Sequence, residues 1–314
     1  MRGSHPHRGL LPPALAADCS PKTARTAEAT AAPSRRLIET LATTTPCRDS
    51  AGVDLAEVVL LSFVAGLGVA VLTAPVGVSG AVFLLPVQLT VLHVPSPAVT
   101  PTNLLFNIVA IPGALARYHA QAPLTSPLTT VLLIGTLPGV VIGAVIRVLL
   151  IPGSQVFRIL VAAFLLPLGI WLCLPNKQRI APPPTTPPQR YSTAALAAVV
   201  GVISGIYGIG GGSLVSPILV GRGLPIATVA PATLVSTFVT SVAGAITYVI
   251  LALATAGQDI TPNWTIGLVA GAGGLIGGYL GAQLQPRLPE RTLQVGLGLS
   301  AIATATLYAI QALH

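Results

Sequence analysis

Long apolar segments alternate with short polar stretches from Val58 onward. Four of these segments precede a proline-rich stretch and four follow it: 58–92, 98–118, 127–150 and 155–174, then 193–221, 226–256, 263–285 and 292–313. Because a helix rises about 1.5 Å per residue, the later segments of each group can cross a hydrocarbon core roughly 30 Å thick. The pattern predicts an all-α polytopic integral membrane protein with seven or eight hydrophobic helices.

The composition supports a membrane location and limits the chemistry of the spans. Hydrophobic residues make up 53% of the chain and charged residues only 8%, whereas a soluble protein carries roughly 25% charged residues. No Asp or Glu occurs between Val58 and Gln258. Since cation symporters often use a membrane carboxylate, a carboxylate relay is disfavoured. The cations lie between apolar spans, which is typical of topology signals and not of a nucleic-acid surface.

The chain divides into four parts by composition. Residues 1–57 are rich in Ala, Thr, Pro, Ser and Arg and lack an apolar run of signal-peptide length, so we expect a polar, disordered tail. Residues 175–191 form a proline-rich basic linker. The linker separates two membrane segments, 58–174 and 192–314.

The two membrane segments repeat each other. In the first element of each segment, Gly77, Gly80 and Pro86 match Gly208, Gly211 and Pro217 at an offset of 131 residues. In the second element, the matching residues at an offset of 130 are Pro101, Asn103, Asn107 and Tyr118 with Pro231, Thr233, Thr237 and Tyr248. The shared order of break, proline, polar pair and tyrosine predicts two four-element repeats.

The first element of each repeat contains residues that stop a helix. Pro75 to Gly80 in the first repeat and Gly208 to Ser213 in the second are rich in glycine. In a helix interior, glycine costs about 1 kcal/mol and proline about 3 kcal/mol. As helices, 58–74 and 81–92 are roughly 25 Å and 18 Å long. We therefore expect broken or re-entrant elements with two half-helices that meet near the membrane middle.

The restarted helices are candidates for an anion site. They are expected to begin near Ser79–Ala81 and Ser213–Leu214, where the first N–H groups lack helical partners and carry the positive end of the dipole. Glycine lets a substrate approach this backbone, and serine hydroxyls donate to an oxyanion. The alternative is helix packing alone, since glycine motifs also bring membrane helices together; we assign Gly205 and Gly277 to packing.

Polar side chains on the second elements extend the candidate site. Asparagine in a membrane helix is costly unless it is paired or faces a cavity, whereas threonine can bond its hydroxyl to a carbonyl one turn back. The candidate substrate-binding residues are Gly77, Ser79, Gly80, Asn103, Asn107, Gly208, Gly210, Gly211, Gly212, Ser213, Thr233 and Thr237. Arg147, Arg287 and Arg291 are interpreted as interfacial anchors, with attraction of anions to a vestibule as the alternative.

The second break lies in a run that resembles a known family. The run is Gly201-Val-Ile-Ser-Gly-Ile-Tyr-Gly-Ile-Gly-Gly-Gly-Ser-Leu-Val-Ser-Pro217, followed by Gly223-Leu-Pro-Ile-Ala227. It is similar to the signature of the TauE/SafE family of sulfite exporter-like permeases, and the resemblance covers about 58–314. It implies a secondary transporter of small sulfur-containing or organic anions, such as sulfite, sulfoacetate or taurine-derived compounds. The expected location is the cell membrane, as a multi-pass protein, and the plasma membrane if the source is bacterial.

Other function classes have less support. The spans contain no paired carboxylates and no Ser/His/Asp or Cys/His constellation, so we expect no enzyme, cofactor or metal site. The expected partners are the lipid bilayer and a small anionic substrate, without nucleic acid, and a homo-oligomer is compatible with the sequence. An anion channel and a non-transporting membrane scaffold are the alternatives to a carrier.

Two topologies fit the broken elements. If both are full crossings, the protein has eight spans and parallel halves. If both are hairpins, the halves are inverted. The hairpins place most cations on one side, which the positive-inside rule favours: Arg117, Lys177, Arg179, Arg190, Arg222, Arg287 and Arg291, with Arg147 and Arg158 opposite.

Overall fold

Ten α-helices form the part of the chain that a computed structural model describes, residues 55–121, 123–150, 154–174, 187–254, 260–287 and 289–313. They are α1 Leu55–Thr73, α2 Ala81–Thr90, α3 Ser96–His119, α4 Pro127–Leu149, α5 Ser154–Cys173, α6 Pro187–Tyr207, α7 Val215–Gly221, α8 Ile226–Ala254, α9 Trp264–Leu284 and α10 Glu290–Leu313. Short 3₁₀ turns follow α1 and α9, at Ala74–Val76 and Gln285–Arg287. Residues 1–54 of the predicted tail and residues 175–186 of the predicted linker lie outside the described residues.

Five of the described helices are long and apolar enough to cross a membrane. They are α1 with its 3₁₀ extension, α3, α4, α8 and α9 with its 3₁₀ extension. Shorter apolar helices occur at Ala81–Thr90, Tyr191–Tyr207 and Gly298–Ile310. The predicted all-helical polytopic membrane protein is therefore confirmed.

Glycines let neighbouring helices pack backbone to backbone, and the order of their contacts gives the helix directions. Cβ atoms placed on Gly273 and Gly277 of α9 would lie 2.1 Å and 2.2 Å from the carbonyl oxygens of Phe63 and Leu67. Both sets of residues increase together, so α1 and α9 run parallel. The same kind of contact shows that α4 and α6 are parallel. The contacting pairs are Gly135 with Ala194, Gly139 with Ala198 and Gly143 with Val202. The predicted packing role of Gly205 and Gly277 is confirmed.

The remaining contacts relate these two helix pairs to each other. Gly267 and Gly271 of α9 face Leu105 and Val109, so α3 is parallel to α9. On the other side, Thr136 contacts Ser236 and Val140 contacts Gly244, so α4 is parallel to α8. Helices α3 and α8 are antiparallel, because Leu104 faces Gly244 and Asn107 bonds to Ser241. Consequently α1, α3 and α9 run in one direction and α4, α6 and α8 run in the other.

Helix α1 is longer than the predicted half-helix 58–74. It begins at Leu55, and the 3₁₀ turn prolongs it to Val76, which makes 22 residues. The half-helix expectation is wrong for this segment, because residues 55–57 of the predicted tail join the helix at one end and the 3₁₀ turn prolongs it at the other. Helix α2, by contrast, has only 10 residues, or about 15 Å.

Arg147 is not an interfacial anchor. Its side chain is 2% exposed and lies in electrostatic range of Tyr207 and Tyr248. An anchor keeps its guanidinium among lipid headgroups, whereas the packing of α4 against α6 and α8 encloses this one. The predicted anchoring is therefore wrong for Arg147.

Arg291 joins α10 to the end of α5. Its guanidinium nitrogens donate to the carbonyl oxygens of Cys173 and Leu174, both at 2.8 Å. These are C-terminal carbonyls of a helix, which lack intrahelical partners and carry the negative end of the dipole. The residue therefore caps α5, and its predicted role as an interfacial anchor stays a prediction.

We expect Arg291→Met to lower the free energy of unfolding by about 0.5–1 kcal/mol, since a cation at a helix C-terminus contributes that much. The measurement is the melting temperature of the purified protein in detergent. Arg287→Met, an exposed arginine of the preceding 3₁₀ turn, is the matched control. Equal melting temperatures for the two variants would contradict the capping role.

Candidate functional site

The two helix breaks meet inside the protein. We call the contact region formed by residues 77–80 and 208–214 the junction. The backbone N–H of Ser79 donates to Ser213 Oγ at 3.2 Å, and the Ser216 hydroxyl donates to the carbonyl oxygen of Val76. All of these residues are buried. The junction thus brings together the two segments that the sequence predicts as anion-binding helix starts.

Glycines in the left-handed conformation turn the chain at each break. Gly77 has φ of 72°, and Gly208 and Gly210 have φ of 70° and 73°. Side chains with a Cβ disfavour this region, which explains why glycine occupies these positions. After the breaks, the helices restart at Ala81 and Val215, close to the predicted starts.

Hydroxyl oxygens accept the hydrogen bonds of the N–H groups at these helix starts. The Ala81 N–H donates to Ser79 Oγ at 3.1 Å, and the Gly211 N–H donates to Thr240 Oγ1 at 2.8 Å. The acceptors are side-chain hydroxyls and not helix carbonyls, so these N–H groups lie outside the intrahelical hydrogen bonds.

Asn107 connects the first break to α8. Its Oδ1 accepts from the Ser79 hydroxyl, and its Nδ2 donates to Ser241 Oγ at 3.1 Å. The side chain has no solvent exposure. Both polar ends of the amide therefore have a hydrogen-bond partner, as the sequence predicts for a buried asparagine.

Asn103 lies one turn before Asn107 and differs from it in one respect. It is also fully buried, yet neither Oδ1 nor Nδ2 has a hydrogen-bond partner among the described residues. Spacings of three and four residues put it on the same face of α3 as Thr100 and Asn107. Thr100 packs against Gly208, so this face of α3 is directed at the second break.

The threonines of α8 bond both to their own helix and to the junction. Thr233 Oγ1 donates to the carbonyl oxygen of Gly77 at 2.9 Å and lies equally close to that of Val229, one turn back. Thr237 Oγ1 is 2.8 Å from the Thr233 carbonyl oxygen and 3.3 Å from Ser213 Oγ. Each of the two threonine hydroxyls therefore bonds to a carbonyl one turn back in α8, as the sequence allows, and each also contacts a break segment.

The junction is tightly packed. A Cβ atom on Gly212 would lie 2.0 Å from the Thr233 carbonyl oxygen, and one on Gly211 would lie 2.5 Å from Thr136 Cβ. The cavity beside Ser79, Gly80 and Phe106 measures about 20 Å³. This volume holds one water molecule, and an anion of four or more heavy atoms does not fit.

Three hydroxyl residues belong to the site beyond the twelve predicted ones. Thr240 and Ser241 receive hydrogen bonds from Gly211 and Asn107, and Thr240 continues the helical face of Thr233 and Thr237. Thr136 of α4 lies 2.9 Å from Ser236 and packs on Gly211. Its signal in the sequence is weak, because a single hydroxyl in an apolar helix has no periodicity.

All twelve predicted residues are buried in or beside the junction. In the described ranges, no three His, Cys, Asp or Glu side chains are placed to hold a metal ion. In comparisons with known proteins, the sequence model of the family described as sulfite exporter TauE/SafE matches residues 62–308. No curated protein and no solved structure matches the chain. The family match includes the whole junction.

Proposed function

Because the chain belongs to the sulfite exporter TauE/SafE family, a family of multi-pass membrane permeases, we propose that it is a secondary transporter of a small anion that binds at the junction. The expected substrate is a sulfur-containing oxyanion or an organosulfonate. The observation that carries this proposal is the contact between the two helix starts, where the Ser79 N–H donates to Ser213 Oγ. Two positive helix ends that face one another favour an anion between them.

The donors at the junction support an anion as the substrate. Backbone N–H groups of Ser79, Ala81 and Gly211 donate to hydroxyl oxygens, and an oxyanion offers stronger acceptors for the same hydrogens. Hydroxyls of the surrounding serines and threonines add further donors. Such a site can hold an anion through neutral groups alone.

The packing of the junction supports a carrier over the alternative of a channel. Gly211 and Gly212 lie so close to Thr136 of α4 and Thr233 of α8 that even an added Cβ would clash, so binding requires the second break to separate from these helices. A protein that must open around each substrate molecule moves it by alternating access. In this proposal the breaks are the moving parts.

We further propose that residues 58–174 and 192–314 are inverted repeats. Equivalent tyrosines bond to equivalent carbonyls: Tyr118 to Ala74 at 3.1 Å and Tyr248 to Gly205 at 3.2 Å. The breaks make reciprocal contacts too, Gly77 with Ala230 and Gly208 with Thr100. Helix directions support the inversion, because each helix runs opposite to its equivalent in the other repeat: α1 to α6, α3 to α8 and α4 to α9.

Re-entrant segments follow from this arrangement. Helices α1 and α3 run in the same direction, so the chain between them must return across the protein through residues 77–95. Helix α2, with 10 residues, covers about half of that path, and the non-helical residues 77–80 and 91–95 cover the rest. The same reasoning applies to α7 between α6 and α8.

Labelling of a cysteine introduced at position 222 tests this topology. In the inverted arrangement, Arg222 lies on the same side as the basic linker. In a background without the three native cysteines, Arg222→Cys should react with a membrane-impermeant maleimide only from the cytoplasmic side. A cysteine at Arg179 in the linker is the matched control. Labelling of position 222 from the opposite side to position 179 would contradict the inversion.

Reconstituted transport tests the proposed function. Liposomes that contain the protein should take up labelled sulfite or a sulfonate with saturation. We expect Asn107→Val to reduce uptake about tenfold or more, because it leaves the buried Ser79 and Ser241 hydroxyls without their partner, at about 1–3 kcal/mol for each group. Ser300→Ala, on α10, is the matched control. Absence of uptake for every anion of a panel of sulfite, sulfate, thiosulfate and sulfonates would refute the transporter.

A further inference from the structure

Asn103 is a buried polar side chain on the face of α3 that is directed at the second break, and the described residues offer its amide no hydrogen-bond partner, as is also true of Gln88 in α2 and the Ser204 hydroxyl in α6. Its exposure is 0%, and both polar ends of the amide lack hydrogen bonds within the described residues. Burial of an amide without hydrogen bonds costs about 1–3 kcal/mol. Helix α3 tolerates asparagine here although an apolar residue would cost nothing, which indicates that a ligand completes the amide.

The equivalent position in the second repeat shows how Asn103 differs. Thr233 occupies it, and the Thr233 hydroxyl is bonded both to Gly77 of the first break and to its own helix. Asn103 faces the second break in the corresponding way, next to Thr100, but has no such bonds. Of these two equivalent positions, the one that faces Gly208 therefore has unused hydrogen-bonding capacity.

The chemistry of an amide restricts what can complete it. Nδ2 donates two hydrogen bonds, whereas Oδ1 only accepts them. The oxygens of a sulfonate or sulfite group can satisfy Nδ2 but cannot satisfy Oδ1. A ligand that completes both ends must carry a hydrogen-bond donor in addition to its acceptor oxygens.

The charge of the surroundings restricts the ligand a second time. Arg147 is the only charged side chain that the described part of the chain buries, and it lies in electrostatic range of Tyr207, which directly precedes Gly208. The groups that accept hydrogen bonds from the N–H groups of Ser79, Ala81 and Gly211 are neutral hydroxyls. Because the cost of removing an ion from water rises steeply with its charge, a neutral site favours a single negative charge over two.

We propose, on the basis of the proposed transport function, that the junction selects monovalent sulfur oxyanions or sulfonates that carry a hydrogen-bond donor, with Asn103 as the specificity-determining residue. Hydrogensulfite and a hydroxyalkyl sulfonate belong to this class. Sulfate and the sulfite dianion are outside this class because they carry two negative charges. An alkyl sulfonate without a donor has the right charge but leaves Oδ1 unpaired.

Competition in liposomes tests the proposal with a pair of ligands that differ by one hydroxyl. The full-length protein takes up sulfur-35-labelled sulfite in the presence of 2-hydroxyethanesulfonate, ethanesulfonate or sulfate. We expect half-inhibition by 2-hydroxyethanesulfonate at a concentration about ten- to a hundredfold below that for ethanesulfonate, as an unpaired buried acceptor predicts. Sulfate should inhibit least.

Variants at position 103 separate recognition from folding. Asn103→Leu should bring the ratio between the two sulfonates close to one, and Asn103→Thr, which copies position 233, should lower it. Thr306→Val, on an exposed face of α10, should leave the ratio unchanged. If Asn103→Leu does not fold, the native protein and Asn103→Thr still test the role of Asn103, because the ratio of the two half-inhibition concentrations should be lower in Asn103→Thr than in the native protein.

The outcomes distinguish this proposal from the transport function on which it rests. Uptake with equal inhibition by the two sulfonates, or with strong inhibition by sulfate, overturns the selectivity and leaves the transporter. A large ratio that persists in Asn103→Thr and Asn103→Leu overturns the role of Asn103. Absence of uptake of any anion refutes the transporter, and the proposed selectivity with it.

Discussion

Gly212→Ala is expected to reduce transport about a hundredfold, although it adds a single methyl group. The added Cβ would lie 2.0 Å from the carbonyl oxygen of Thr233 and 2.8 Å from Thr237 Oγ1. The carbonyl belongs to the backbone of α8 and cannot rotate away, so the second break must move outward. A displacement of about 1 Å at a binding site costs on the order of a hundredfold in rate.

The measurement is the initial rate of anion uptake, normalised to the amount of protein in the liposome. Gly68→Ala in α1 is the matched control, because a Cβ at that position meets nothing within 4 Å. It should retain full activity and gain up to about 1 kcal/mol in stability from the helix propensity of alanine. If Gly212→Ala transports as well as Gly68→Ala, the tight fit of the junction plays no part in transport.

Gly273→Leu is expected to have the largest effect on folding. A Cβ at this position would lie 2.1 Å from the carbonyl oxygen of Phe63, in the middle of the contact between α1 and α9. A leucine would separate the two helices, so the close backbone packing that stabilises membrane helices would be lost. We expect a loss of more than about 3 kcal/mol, at the upper end of overpacking effects.

Size-exclusion chromatography and a melting curve in detergent measure this effect. Ala272→Leu is the matched control, since the neighbouring Ala272 is exposed on the opposite face of α9 and a leucine there meets lipid. The control should elute and melt like the native protein. Monodisperse Gly273→Leu with an unchanged melting temperature would show that α1 and α9 are not held together at this point.

Much of the fold and of the candidate site follows from local properties of the sequence. The glycines locate both breaks in the sequence. Glycine adopts the left-handed backbone seen at Gly77, Gly208 and Gly210 without the steric cost that a Cβ imposes. Asn107 is identified for the same type of reason, since an amide in a membrane helix requires a partner wherever the helix packs. The apolar segments predict the helices within a few residues.

Other features depend on contacts between distant segments, and the sequence does not contain them in readable form. The burial of Arg147 results from the packing of α4 between α6 and α8, which no local pattern specifies. Thr136 becomes part of the site only because α4 passes beside Gly211. Helix α1 begins at Leu55, in a segment that contains acidic residues. This segment has the composition of the tail, so composition alone places the start of the helix too late in the chain.

The parallel pairing of α1 with α9 has a consequence for biosynthesis. As the chain emerges from the ribosome, α1 enters the membrane before α9, so its packing surface is completed only after α2 to α8 have been synthesised. Until then the carbonyls of Phe63 and Leu67 face lipid or an insertion factor instead of glycines. The second half has no such delay, because α6 finds its partner α4 already in place. Assembly of the first half therefore depends on completion of the second.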